Sequence, residues 1–299
     1  QEASDDVLYS ELKKALASAS NIVAAQAAHI VKAKGLRRLA SELSDAFSRF
    51  MEKPAQRDSG CIAKLAIVEA LRALEAEADR VFLAGVRHVQ MEPTWGLPED
   101  TAGALRGACG QALAQSNYPD ALFELANLLA DPEPPARRAA IQAVAFVGGT
   151  ESELLLRMKA LSGDPEPDVI GDCLTALMRL EPARSLEFVA ARMDSEEPAI
   201  AEAAAIALGE SHREDAFDVL RERWESCVDA ESRRMLLLPL ALMRSEESMA
   251  FLLQIIREAN KHLAAGAISV LGACYLDELK KDILDAIRER NEREIKEAF

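Results

Sequence analysis

Between Asp131 and Gly149 the chain reads DPEPPARRAAIQAVAFVGG, polar at its start and apolar at spacings of three and four thereafter. Ala140, Val144 and Val147 share one face of a helix with that periodicity. Asp131 predicts an N-cap, with Pro132 in the first turn where a missing N–H costs nothing, and Gly148–Gly149 predict the stop. The rest of the chain copies this element. With Val144 as anchor, equivalent positions fall at Val31, Leu71, Leu113, Leu177, Leu208, Leu240 and Leu271, at successive spacings of 40, 42, 31, 33, 31, 32 and 31 residues along the chain. A period near 31 that holds over five intervals predicts a repeat array.

Columns not used to set this register support it. Thirteen residues before the anchors stand Ser18, Asp58, Asp100, Asp131, Asp164, Ser195, Cys227 and Glu258, of which six are N-capping types. Twelve residues after them stand Leu43, Leu83, Leu125, Leu156, Val189, Leu220, Leu252 and Ile283, all aliphatic, which predicts a second buried helix in every repeat. Thr150 with Glu153, and Ser211 with Glu214, read as capping boxes opening two of these second helices. The predicted unit is helix–turn–helix, and stacked neighbours hide the face that one pair leaves open.

The pattern resembles the HEAT-like repeats, particularly their short bilin-lyase-like class, D-x-x-x-x-[VA]-R-x-x-A-x-x-A-L-G. Asp131, Arg137, Ala140, Ala143 and Val144 fit it, as do Ala204, Ala207, Leu208 and Gly209. The basic residue seven before the anchor appears as Lys64, Arg106, Arg137 and Arg233, and is replaced by Ala24, Ile170, Ala201 and Ala264. The resemblance implies an all-α, right-handed α-solenoid of about eight helical pairs. The expected layout is a single solenoid over 1–299. It has a cap and a first, longer repeat over 1–57, repeats over 58–290 with an insertion at 91–100, and a polar cap over 286–299. Pro239 lies inside the opening helix of the seventh repeat and predicts a kink there.

Composition narrows the function. The net charge is −15, with residues 131–299 carrying 21 Lys/Arg against 33 Asp/Glu, so a phosphate backbone is repelled and no nucleic-acid partner is expected. No apolar run reaches the ~18 residues of a membrane span, so no membrane partner is expected. Five cysteines without a CxxC pair predict a reducing, cytoplasmic setting. Cys109 and Cys173 occupy the column that holds Ala27, Ala140, Ala204 and Ala267 elsewhere, and read as inert core residues. His29, His88, His212 and His262 are dispersed, and none is followed by the Glu that the related deoxyhypusine hydroxylases use to hold iron. No metal, no cofactor and no catalytic residue is expected. Acidic groups in the repeat turns, such as Asp164, Glu166 and Asp168, suit helix N-termini.

Two features point to a partner. Trp95 sits with Met91 and Leu97 in the insertion 91–100, either covering a groove or offering an aromatic handle. Lys159, Arg192 and Arg223 stand fifteen residues after successive anchors, with Arg157 and Arg221 two residues before the first and last. That column predicts a row of cations on the second helices, which in such solenoids line the concave face; it is either paired surface or a receptor for an acidic or phosphorylated segment. The expectation is a monomeric, non-catalytic scaffold that binds a protein or peptide. The alternative is a bilin-lyase-like enzyme or chaperone acting on a chromophore-bearing protein.

Overall fold

The structure, a computed structural model, describes residues 2–93 and 95–290, with side chains for 6–93, 95–274 and 279–290. These residues are all-α apart from one two-stranded hairpin. A leading helix α1 (Glu2–Leu16) precedes the pair α2 (Asn21–Lys34) and α3 (Ala40–Met51). After the one-turn α4 (Pro54–Arg57) come α5 (Ile62–Ala73) with α6 (Asp79–Val86), then the hairpin β1 (Met91–Glu92) and β2 (Glu99–Asp100). The pairs α7 (Gly103–Gln115) with α8 (Ala121–Leu128) and α9 (Pro134–Val147) with α10 (Gly149–Ser162) follow. Next stand α11 (Pro167–Leu180) with α12 (Pro182–Ala190), and α13 (Pro198–Glu210) with α14 (Glu214–Ser226). A divided opening helix, α15 (Ala230–Met235) and α16 (Leu237–Leu242), pairs with α17 (Glu246–Glu258), and α18 (Lys261–Arg290) ends the described chain.

The chain forms two compact units, residues 1–156 and 157–299. In the first, α2 packs on α5, α5 on α7 and α7 on α9; in the second, α11 packs on α13, α13 on α16 and α16 on α18. First helices therefore stack on first helices within each unit, as the period requires. All eight anchors are completely buried, and so are seven of the eight positions twelve residues later. The exception is Leu83, which is half-buried because Phe82 takes the core position one residue earlier.

Several local expectations change. Asp131 is not the N-cap of a helix begun by Pro132. Pro134 forces the residue before it out of the helical region, and Glu133 adopts φ −88°, ψ 120°. The helix starts at Pro134, and Asp131 instead closes a turn by accepting from the Glu133 N–H at 2.9 Å. The same device recurs before α11, where Asp164 accepts from Glu166 N–H at 2.9 Å, and before α13, where Ser195 accepts from Glu197 N–H at 3.2 Å. Ser211 caps no second helix, because it ends α13 and its hydroxyl donates back to the Leu208 carbonyl at 2.6 Å. Thr150 lies inside α10.

The expected eighth pair is one 30-residue helix, since 272–283 holds no proline and only Gly272 to interrupt it. Pro239 does break its helix, and the chain divides at Leu236. There α13 approaches so closely that a Cβ on Gly209 would collide with the Pro239 carbonyl. Of the expected polar cap 286–299, residues 291–299 lie outside the described residues.

Candidate functional site

In the first unit the insertion 91–100 is the β1–β2 hairpin, with Met91 opposite Asp100 and Glu92 opposite Glu99. Trp95 covers nothing: it is 110% exposed, with Leu97 at 84% and Met91 at 54%. The base of the hairpin is fixed from beneath. The Glu92 carboxylate accepts from Ser59 Oγ at 2.6 Å, Gly60 N–H at 2.7 Å and Thr101 Oγ1 at 2.9 Å, and also from Gln90 Nε2. Desolvation pushes the Glu92 carboxyl up, but the bonds from Ser59, Gln90, Gly60 and Thr101 together outweigh it and hold the group at about 2.

Below the hairpin runs a buried polar network built from the column of basic residues. Lys64 and Asp58 are both fully buried, with Nζ 3.2 Å from Asp58 Oδ2 and donating to Gln90 Oε1 at 2.8 Å. Asp58 also accepts from the Ala63 and Lys64 N–H groups at 2.9 and 3.0 Å, so every charge there has a partner. One repeat on, Arg106 grips Asp131 with a fork, Nε to Oδ2 at 2.7 Å and Nη2 to Oδ1 at 2.6 Å. Its Nη1 reaches Asp100 Oδ2 at 2.6 Å and the His88 carbonyl at 2.9 Å. Arg137 donates to the Asp131 and Pro132 carbonyls at 2.8 Å each. Desolvation pushes the Asp100 carboxyl up, but the Gln90 and Ala102 N–H groups and Arg106 hold it below the ordinary range. Desolvation also dominates at His88, lowering its pKa, so the imidazole is neutral near pH 7. The repeat pattern singled out these basic residues; it gave no sign that Arg106 joins the turn aspartates of two successive repeats.

The second unit holds the five cations of the ladder, which do not stand alike. Lys159 is largely buried and pairs with Asp164 at 2.7 Å. Arg223 pairs with Asp194 at 2.7 Å and donates to the Met193 carbonyl at 3.1 Å. Arg221 makes an exposed pair with Glu225 at 3.3 Å. Arg157 and Arg192 are brought together on one aromatic ring. Their guanidinium carbons lie 4.8 and 5.0 Å from the centroid of Phe188, and Arg157 also donates to the Arg184 carbonyl at 2.6 Å. Among the described residues the Arg192 guanidinium has no hydrogen-bond acceptor, although its Nε is buried. Phe188 was missed in the sequence, yet its placement was legible. It stands four residues before Arg192 and one period of 31 after Arg157.

The two core cysteines sit as their column predicts. Cys109 fits because Gly85 faces its sulfur without a Cβ, and burial pushes its thiol far up. Burial likewise pushes the Cys173 thiol up to about 12 and that of Cys61 to about 11. Among the described residues no three His, Cys, Asp or Glu side chains converge as a metal site, and no helix is long and apolar enough to cross a membrane.

Stacked helical pairs with buried anchors define an all-α solenoid class. Residues 154–237 match the family model of HEAT repeats, so that stretch is similar to known HEAT repeats. No curated protein matches the chain.

Proposed function

We propose that the chain is a non-catalytic protein-binding scaffold whose second unit receives an acidic or phosphorylated segment of a partner. The observation that carries the reading is Arg192. In a chain with 50 acidic against 35 basic residues, a half-buried guanidinium left without an acceptor is out of keeping with its surroundings. It lies over the Phe188 ring, with Arg157 over the same ring. Such a fork suits the two oxygens of a carboxylate or phosphate, and stacking reduces the entropy lost on binding. Lys159 and Arg223, tied to Asp164 and Asp194, flank the pair in the same repeat column and serve as fixed walls. Arg221 lies at the edge, and Trp95 on the first unit offers a separate apolar handle.

The test is capture from the native host by the immobilised full chain, read by mass spectrometry, beside Arg192→Glu. Partners that carry acidic or phosphorylated segments should be lost with the charge reversal while the thermal midpoint stays within a few degrees. Equal capture by both proteins would refute the reading.

A further inference from the structure

The first unit carries a groove of its own, unrelated to the cations of the second unit. A groove of about 790 Å³ opens between the turns after α5 and α7 and the last turn of α9, within the roughly 300–1,000 Å³ of ordinary binding clefts. Ala73, Ala76, Ala112 and Phe82 are among its apolar lining, together with Phe146, which is 60% exposed.

The electrostatics of this groove are one-sided. Glu75, Glu77 and Asp79 line it, against Arg72 alone. Arg72 is turned aside onto the side-chain oxygen of Gln111. Glu75 is held by Arg37 at 2.8 Å, Asp79 accepts only from the Ser116 hydroxyl at 3.2 Å, and Glu77 has no partner among the described residues. The helix termini add to this. The last turns of α5, α7 and α9 all contribute lining residues, Ala73, Gln115 and Phe146. A helix C-terminus carries roughly half a negative charge from its aligned peptide dipoles, so three of them reinforce the carboxylates. An exposed aromatic face beside them attracts a cation through its quadrupole.

From this geometry we infer that the groove docks a basic segment of a partner protein, with Lys or Arg side chains toward Glu77 and Asp79 and an apolar residue against Phe146. The short alanine side chains of the lining let an extended backbone lie close, and the exposed Gln115 amide offers it both a donor and an acceptor. Recognition here is independent of the acidic-segment reading for Arg192, and the two can fail separately.

The experiment is selection of a phage-displayed random dodecapeptide library on the immobilised full chain. Synthetic copies of the enriched peptides are then titrated by fluorescence anisotropy. Enrichment of peptides combining Lys or Arg with an apolar residue is expected, with affinity falling as salt rises. Phe146→Ala, and Glu77→Lys with Asp79→Lys, should each weaken those peptides at least about tenfold, a change of about 1.4 kcal/mol. Arg192→Glu should leave them unaffected, which separates this surface from the other. Phe146, Glu77 and Asp79 are exposed and Arg192 is half-buried, and an unchanged thermal midpoint shows that each variant folds. Selection that enriches no basic sequence, basic peptides that bind the variants as tightly as wild type, or spermine competing as strongly as the peptides would each overturn the inference.

Discussion

Replacing Arg106 with alanine probes the buried network of the first unit most sharply. The guanidinium is 4% exposed, and the Asp100 and Asp131 side chains that it holds are each 8% exposed. Without it both carboxylates lose their cation while remaining largely cut off from water, and the His88 carbonyl loses a donor. Breaking a buried ion pair by removing one partner costs about 3–5 kcal/mol, and two stranded acids place Arg106→Ala at the upper end. A domain of this size has only about 5–15 kcal/mol in total, so the first unit comes near unfolding. Two compact units can unfold separately, so the readout is hydrogen exchange by segment together with urea denaturation. Exchange should quicken in α7, α9 and the hairpin while α12 to α14 keep their protection. Combining Arg106→Met with Asp100→Asn and Asp131→Asn should restore part of the loss, because no carboxylate is stranded and Asn still closes the turn before α9. A loss under about 1 kcal/mol, the size of a surface pair, would refute the reasoning, as would exchange rising equally in both units.

The remaining predictions follow from burial and charge. Glu92 and Asp100 have folded-state pKa values below the ordinary carboxylate range, so the folded chain binds fewer protons than the unfolded one. Their stabilisation is complete only above their unfolded-state values, above about pH 5, and is lost as pH falls, through about 2 for Glu92, so Glu92→Gln should flatten that part of an acid-unfolding curve. Cys61, Cys109 and Cys173 should react with a disulfide thiol reagent far more slowly in native buffer than in denaturant, whereas the exposed Cys274 reacts promptly in both. Trp95→Ala should change stability by no more than about 0.5 kcal/mol, and acrylamide should quench Trp95 but hardly the buried Trp224. Leu220→Ala, in the column of buried aliphatics, should cost about 2–5 kcal/mol and loosen α13 and α14 first.

The repeat was legible because one apolar side chain every 31 residues is enough to mark a stack, and each anchor is buried as its spacing demands. Helix starts were less legible. Asp131, Asp164 and Ser195 carry N-cap chemistry, but the prolines at 134, 167 and 198 decide where the backbone can become helical. The continuous α18 was hidden for the opposite reason, since a periodic column reads the same whether or not a turn interrupts it. At the candidate site, sequence columns located Arg157 and Arg192 but could not separate Arg192, which has no acceptor, from Lys159 and Arg223, which neighbouring turns hold in pairs. The groove beside Phe146 left no sequence signal, because its charge comes from turn residues and helix ends that are unremarkable singly.

The most direct test of the scaffold reading is the affinity of one acidic or phosphorylated partner segment for wild type, Arg192→Lys and Arg192→Glu. Fluorescence anisotropy at two salt concentrations would supply it. The account predicts at least about a tenfold loss for Arg192→Glu, corresponding to about 1.4 kcal/mol, with Arg192→Lys between the two because lysine keeps the charge without the fork. Three equal affinities, insensitive to salt, would contradict it.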